Sequence, residues 1–340
     1  MIPKKVILDC DPGSDDAIAM MLAMKSDAID LIGVTTVNGN RIVPKTTENA
    51  LRVVQFMKAS VPVYRGCEEP IICNEIPGRK PGLPRVTLND CHGDFLPLPE
   101  AEIRTEKEHA VFYLVKTLME SEGDIYVAAV GPLTNLAMAL RIEPKIAGKI
   151  KQLVIMGGGH CGANASPAAE FNFYADPEAA KIVMDSAIPK VILPLDATWR
   201  ACLSEEKCKE LAQLGTPEAK VAAALVQKRI DNLKVNDVSE HNYALRHQAG
   251  TVAGAMLYRY DNHMAPIHDA LAIAYLINEN VVTELADANV DIDIAGGLCD
   301  GRMVADFHNT KKCKAPVTAK VALNSDAGLF TDMLFAALGK

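Results

Sequence analysis

Four aspartates lie within eight residues near the start of the chain, directly after an apolar run. They are Asp9, Asp11, Asp15 and Asp16. Ionised carboxylates this close together repel one another unless a cation lies among them, because charged groups are costly to remove from water together. A hard metal ion, which prefers oxygen ligands, would remove that repulsion. The segment therefore indicates a metal site.

The same segment joins a predicted strand to a predicted helix. The apolar run Val6–Leu8 predicts a buried strand, Pro12 and Gly13 predict a turn, and Ala17–Lys25 predicts an apolar helix. Open α/β sheets bind ligands at the carboxyl ends of their strands, which is where these acids would lie. Aspartates before a helix can also act only as N-caps, although capping does not need four of them.

Two other acidic loops share part of this pattern. An EF-hand loop follows a helix and needs Gly at its sixth position and Glu at its twelfth; here a strand precedes, and those positions hold Ser14 and Met20. An EF-hand is therefore excluded. Phosphatases of the haloacid-dehalogenase type also begin with Asp-x-Asp after a strand, with Asp9 as the nucleophile, but usually have Thr or Val where Gly13 stands. That class is the rival interpretation.

The composition sets further bounds. The 340 residues are 49% hydrophobic and 23% charged, enough to bury a large core. Neither a linker-like segment nor a repeat divides the chain, so we expect one domain over residues 1–340. A formal net charge of −8 argues against nucleic acid or a membrane surface as a partner. Nine cysteines without a Cys-x-x-Cys pair predict free thiols, and the lack of a secretory or membrane-spanning segment predicts a cytoplasmic location.

Strand and helix patterns alternate along the chain in the βαβ order of a parallel sheet. Further strands are predicted at Ile29–Val37, Ile125–Val130, Leu153–Met156 and Val191–Leu195, and helices at Thr46–Lys58, Leu133–Leu140 and Asp176–Met184. Glu68–Pro99 holds six prolines and predicts an irregular flap, whereas Ser204–Tyr260 is mainly helical in pattern. We expect an α/β fold: an open, mostly parallel, Rossmann-like sheet flanked by helices, with a helical C-terminal part.

One glycine-rich segment imitates a dinucleotide site. Gly157–Gly162 fits the pattern G-x-G-x-x-G after a strand, but Ala163–Pro167 does not open a helix. The fingerprint also requires an acid at the end of a second strand about 20 residues later, and no such acid is found there. A nucleotide cofactor is therefore not expected.

A second acidic helix start lies late in the chain. His268 and Asp269 precede the apolar helix pattern Ala270–Leu276. If the two helix starts meet above the sheet, Asp269 can complete an oxygen cage that Asp11 and Asp16 begin, and Ca²⁺ takes six to eight oxygen ligands. A His-Asp pair at a helix start can also be a simple cap.

Amides follow several of the predicted strands. They are Asn38, Asn40, Asn164 and Asn172, with the carboxylate Glu170 among them. Each alone is a common turn residue, but together with the aspartates they offer acceptors and donors for vicinal hydroxyls, which indicates a sugar. Arg and Lys do not cluster with them, so a phosphate is disfavoured.

These segments resemble, in order, those of the nucleoside hydrolases, the inosine-uridine-preferring N-ribohydrolase family. The resemblance is carried by Leu8–Asp16, Thr35–Asn40, Gly131–Asn135, Met156–Gly159, Glu170–Asn172, Asp176–Ala180 and His268–Ala270. It implies Ca²⁺-dependent hydrolysis of the N-glycosidic bond of ribonucleosides, giving ribose and free base for nucleoside salvage. It also implies a homodimer or homotetramer.

The resemblance assigns roles by position. Calcium would be held by Asp11, Asp16, Asp269 and the backbone carbonyl of Val130. The ribose would contact Asp15, Asn40, Asn164, Glu170 and Asn172, with Met156 lining the pocket. Asp11 would be the general base that takes a proton from the attacking water.

The leaving base is the less defined part. His268 matches the inosine-uridine-preferring group and would give the base a proton, and His92 resembles the flap histidine that closes over ribose. Residues 236–263 align poorly, which leaves Tyr260 and His263 as loose candidates for base contacts. Trp199 is expected to pack or to line the rim. A purine-selective enzyme and a non-catalytic ribose-binding protein are the alternatives.

Overall fold

The computed structural model describes residues 2–72, 75, 93–235, 263–307 and 316–340. The strands are β1 (Lys4–Cys10), β2 (Ile29–Thr36), β3 (Val63–Arg65), β4 (Ile125–Ala129), β5 (Ile150–Met156), β6 (Lys190–Leu193), β7 (Cys202–Ser204), β8 (Met264–Pro266), β9 (Val282–Ile292), β10 (Met303–Asp306) and β11 (Ala319–Ser325). The helices are α1 (Ser14–Lys25), α2 (Val43–Phe56), α3 (Ala110–Glu120), α4 (Thr134–Ile142), α5 (Phe171–Ala175), α6 (Pro177–Met184), α7 (Leu195–Thr198), α8 (Glu205–Gln213), α9 (Pro217–Val235), α10 (His268–Ile277) and α11 (Ala327–Leu338).

Nine of these strands form one sheet in the order β10-β9-β11-β6-β5-β4-β1-β2-β3. Pairs from β3 to β11 are parallel, and β9 is antiparallel to both β11 and β10. The chain winds outward from β1 through β2 to β3, then returns to the other side of β1 with β4. The order of connection therefore reverses between β1 and β4, and such a switch point opens a crevice at the carboxyl ends of the strands.

Strand β1 is buried on both faces. Val6 and Leu8 belong to the apolar core on one side of the sheet, and Ile7 belongs to the core on the other. This explains its continuous apolar run, since a strand covered by helices on both faces has no polar side to show. Helix α1 is likewise buried from Ser14 to Ala23, so its acidic first turn lies inside the protein.

The predicted parallel α/β fold is confirmed, with differences at particular elements. Helix α1 begins at Ser14 rather than Ala17, so Asp15 and Asp16 lie in its first turn instead of before it. The short helix α5 was not predicted. The C-terminal part was predicted to be helical, but it also contains β9, β10 and β11. Strand β9 was missed because it alternates acids with small apolar residues and so gives little apolar signal.

Two other predictions are covered only in part. Most of the predicted flap and most of residues 236–263 lie outside the described residues. Helices α8 and α9 confirm the helical pattern that was predicted from Ser204 onward, as far as residue 235. Six cysteines in the described part of the chain are free thiols, as predicted. None of the helices in that part is long and apolar enough to cross a membrane.

Candidate active site

The turn between β1 and α1 is closed by the side chain of Asp16. Its carboxylate accepts hydrogen bonds from the backbone amides of Gly13 (2.9 Å) and Asp11 (3.2 Å). Gly13 is the N-cap of α1 and carries no side chain to cap the helix, so Asp16 satisfies amides that would otherwise lack partners. Asp16 is also fully buried.

The loops after β2 and β4 close around Asp11. The backbone amide of Asn40 donates to Asp11 Oδ2 at 2.5 Å, and the Asn40 side-chain amide donates to the Asp11 carbonyl (3.2 Å) and to Asp16 (3.3 Å). On the other side, a Cβ on Gly131 would lie 2.6 Å from Asp11 Oδ1, so only glycine lets the chain pass there. Asp11 is therefore held in one position with 1% of its surface exposed.

Asp269, in the first turn of α10, meets the acids of α1. Carboxylate oxygens of Asp15, Asp16 and Asp269 lie within 4.8 Å of one another, and all three residues are buried. Burial and the neighbouring acids raise the pKa values of Asp269 and Asp11 well above their ordinary range. An all-oxygen, buried and mutually repelling donor set fits a hard divalent cation. This cluster of three carboxylates includes Asp15, whereas the resemblance assigned Asp11 to the metal. Asp11 lies next to the cluster, and its backbone amide bonds to Asp16.

Asp9, the fourth acid, has a different environment. It is fully buried, and its Oδ1 accepts hydrogen bonds from Thr35 (2.5 Å) and Asn135 (2.7 Å). Burial raises its pKa to about 6. A carboxylate enclosed in this way cannot attack a substrate phosphate, so the structure disfavours the phosphatase interpretation, which needs Asp9 as its nucleophile.

A second group of polar side chains lies beyond β4 and β5. The Asn172 side-chain amide donates to the carbonyls of Val130 (2.8 Å) and Met156 (3.1 Å), and it lies 3.4 Å from Met156 Sδ. These bonds tie α5 to the ends of both strands. They also bring together three residues that the resemblance assigned to the site, Val130, Met156 and Asn172.

Glu170 is the N-cap of α5. Its carboxylate accepts hydrogen bonds from the backbone amides of Gly158 (2.8 Å), Asn172 (2.9 Å) and Phe173 (3.2 Å). Burial raises its pKa to about 7, and the backbone donors oppose that rise. Nearby, Asn164 accepts from the Phe171 amide (2.8 Å) and lines a cavity of about 460 Å³ bounded by residues 159–168 and Arg302.

His268 lies directly before Asp269 at the start of α10. Its Nδ1 is 2.8 Å from the hydroxyl of Thr198, a fully buried residue at the end of α7. The hydroxyl fixes the ring orientation. Trp199, the next residue, is 2% exposed and packs against Gly162, which confirms the packing interpretation.

Three other residues were candidates for flap or base contacts. His92 and Tyr260 lie outside the described residues. His263 is exposed and lies 3.6 Å from Glu205 of α8, at the β7 and β8 pair.

Sequence reasoning missed two residues at the site. Arg229 of α9 lies 2.9 Å from Asp15, measured from Nη1 to Oδ2. Asn49 of α2 donates to the Pro12 carbonyl (2.9 Å) and accepts from the Leu96 amide (2.9 Å). A lone arginine or asparagine on an amphipathic helix carries no local signal, because the partners of each are distant in sequence.

Known proteins match this chain along nearly its whole length. The family model "Inosine-uridine preferring nucleoside hydrolase" matches residues 6–332. A "Pyrimidine-specific ribonucleoside hydrolase RihB" of Escherichia coli O157:H7 is 36% identical over 337 residues, covering 97% of this chain and 95% of that protein.

Solved structures share the fold. A "Purine-Preferring Ribonucleoside Hydrolase from Gardnerella vaginalis" is similar with a TM-score of 0.82 and 25% identity, covering 99% of this chain and 98% of that one. A plant nucleoside hydrolase, PpNRh1, is similar with a TM-score of 0.80 and 26% identity, covering 99% of both chains. The chain therefore belongs to the inosine-uridine preferring nucleoside hydrolase family and is a hydrolase of N-glycosyl compounds.

Proposed function

We propose that this enzyme hydrolyses the N-glycosidic bond of ribonucleosides to ribose and free base, with Ca²⁺ as its metal. The observation that carries the proposal is the convergence of Asp15, Asp16 and Asp269 within 4.8 Å, next to Asp11, at the switch point of the sheet. Family membership supports the reaction class. The all-oxygen donor set supports calcium over zinc, which prefers thiolate and imidazole ligands.

The proposed calcium ligands are Asp11, Asp16, Asp269 and the carbonyl of Val130. Two of these, Asp16 and Asp269, belong to the gathered group of carboxylates. Calcium bound there supplies a positive charge that polarises a water molecule and lowers its pKa.

Asp11 is the proposed general base. The Asn40 amide and the close approach of Gly131 hold its carboxylate in place, so the base is positioned before substrate arrives. Asp11 takes a proton from water while the water oxygen bonds to the anomeric carbon and the bond to the base nitrogen breaks. The buried carboxylates stabilise the oxocarbenium character that develops on the ribosyl ring.

The remaining polar residues are assigned to substrate. Asp15, Asn40, Asn164, Glu170 and Asn172 are the proposed ribose contacts, with Met156 lining the pocket and His92 at the flap. His268, oriented by Thr198, is the proposed acid that gives the departing base its proton. A cytoplasmic location and a homodimeric or homotetrameric assembly stay predictions from the sequence.

A reducing-sugar assay tests this function. Inosine, guanosine, adenosine, uridine and cytidine are each incubated with the enzyme in excess Ca²⁺ and in EGTA, with p-nitrophenyl phosphate as the phosphatase control. We expect ribose release from at least one nucleoside in Ca²⁺, its loss in EGTA, and no phosphate release. Ribose binding without base release would contradict the proposal and favour a binding protein.

The same panel ranks the bases. The pyrimidine-specific name of the relative at 36% identity supports uridine and cytidine as the preferred substrates. The purine-preferring name of the structural neighbour at 25% identity supports the alternative, a purine-selective enzyme. Rate ratios between uridine and inosine separate the two.

A further inference from the structure

In the part of the chain that the structure describes, a cationic side chain lies against the acidic pocket formed by Asp15, Asp16 and Asp269. Arg229 reaches in from α9, and its Nη1 lies 2.9 Å from Asp15 Oδ2. The two side chains are only 12% and 8% exposed, so this ion pair is largely shielded from solvent. Helix α9 packs against α1, which fixes the guanidinium beside the first turn that carries Asp15 and Asp16.

This position differs from that of an ordinary surface ion pair, which is worth little because water screens it. Asp15 is one of three buried carboxylates within 4.8 Å of one another, so a charge that acts on Asp15 also acts on Asp16 and Asp269.

We propose that Arg229 is a resident counter-cation of the metal pocket: it neutralises Asp15, stabilises the pocket when no ion is bound, and weakens the pocket's affinity for a divalent cation. The proposal rests on the metal site of the proposed function. Its physical basis is that like charges in one shielded pocket repel, so the guanidinium that relieves the carboxylates in the metal-free protein opposes a second cation.

The test compares the thermal stability and calcium affinity of four full-length proteins: wild type, Arg229→Met, Arg229→Lys and Arg52→Met. Arg52 is the matched control, because it is also mostly buried (14% exposed) and ion-paired, with Glu48 at 2.7 Å, but lies outside the acidic pocket. Melting temperatures are measured in EGTA and in excess Ca²⁺, and calcium binding is measured by calorimetry after chelator removal.

We expect Arg229→Met to melt below wild type in EGTA, to gain more from Ca²⁺ than wild type does, and to bind Ca²⁺ about tenfold more tightly, the order expected for removing one nearby like charge. Arg229→Lys keeps the charge and should behave like wild type. Arg52→Met should melt lower in both conditions, with an unchanged gain from Ca²⁺.

An equal or smaller gain from Ca²⁺ in Arg229→Met, with equal or weaker calcium binding, would overturn the role of Arg229. If that variant does not fold in EGTA, the double variant Asp15→Asn/Arg229→Met, which removes both charges, should recover folding; a failure to recover would also count against the proposal. Ribose release by wild type tests the proposed function separately. A wild type that releases ribose but shows no calcium response would reject the Arg229 proposal and the metal, while keeping the reaction.

Discussion

The site has two halves that are stabilised in opposite ways. The acidic half (Asp11, Asp15, Asp16 and Asp269) gathers like charges, and burial raises the pKa values of Asp11 and Asp269. The amide half (Asn164, Glu170 and Asn172) is held by hydrogen bonds to the protein's own backbone. The amide half therefore has its polar groups satisfied by the fold, whereas the acidic half gathers buried carboxylates that fit a cation, and among the described residues Arg229 pairs with one of them.

The largest expected effect is on the acidic half. Asp11→Ala should abolish nearly all turnover, since it deletes the proposed base and a proposed metal ligand together; loss of a general base alone is typically 10²- to 10⁴-fold. Steady-state ribose release on the best nucleoside measures the loss. Asp11→Asn, which keeps an acceptor for the Asn40 amide, should fold like wild type and be equally impaired. More than a tenth of the wild-type rate in either variant would exclude the role.

A smaller and substrate-dependent effect is expected at His268. His268→Ala should lose about 10²-fold on inosine, whose base leaves with a proton, and little on p-nitrophenyl riboside, whose leaving group needs none. Thr198→Val, which removes the hydroxyl 2.8 Å from Nδ1, should show the same pattern with a smaller loss. Equal losses on both substrates would show that His268 shapes the pocket and does not donate a proton.

Removal of Ca²⁺ by a chelator should lower the stability of the acidic half and leave the amide half unaffected. Removing Ca²⁺ leaves the acidic half with uncompensated charge, and ligand linkage gives roughly 2.7 kcal/mol at a calcium concentration one hundred times the dissociation constant. Melting temperatures in EGTA and in excess Ca²⁺ should therefore differ for wild type and also for Asn172→Ala. Asp269→Asn should lose most of the difference. Identical midpoints for wild type, with no metal found by elemental analysis, would refute the site.

The smallest effect concerns pH and the amide half. Burial raises the pKa of Glu170 from 4.5 to about 7, so between these values the folded state binds more protons than the unfolded state. Stability from this group is therefore present at low pH and falls as pH rises toward 7. We expect the melting temperature of wild type, relative to Glu170→Gln, to fall by roughly 2–4 °C or more between pH 5 and pH 8. A constant difference across that range would mean that the carboxylate does not titrate there.

Much of this arrangement was predictable because its signals are local. The apolar run before Asp9 and the turn at Pro12 and Gly13 indicated β1 and the start of α1, and parallel pairing brings the ends of β2 and β4 beside them. The second acidic helix start offered Asp269 as a partner for the acids of α1 on the condition that the two helix starts meet, and in the structure they do.

The rest depends on contacts that no local pattern encodes. Arg229 and Asp15 are brought together only by the packing of α9 on α1. No local pattern indicated that the carboxylate of Glu170, a proposed ribose contact, also caps α5. The start of α1 was predicted three residues too late because Ser14, Asp15 and Asp16 are polar. In the structure these residues form the first turn of the helix, and the side chain of Asp16 accepts the hydrogen bond that closes the preceding turn.

Asn49 links the turn beside Asp11 to a backbone segment that is distant in sequence. One buried amide holds the Pro12 carbonyl with its nitrogen and the Leu96 backbone N–H with its oxygen. The Leu96 proton can exchange with solvent only when that bond breaks, and a displaced Asn49 also releases Pro12. We therefore expect the hydrogen-exchange rate at Leu96, far away in sequence, to rise with local opening of the turn beside Asp11 and to slow when Ca²⁺ is bound.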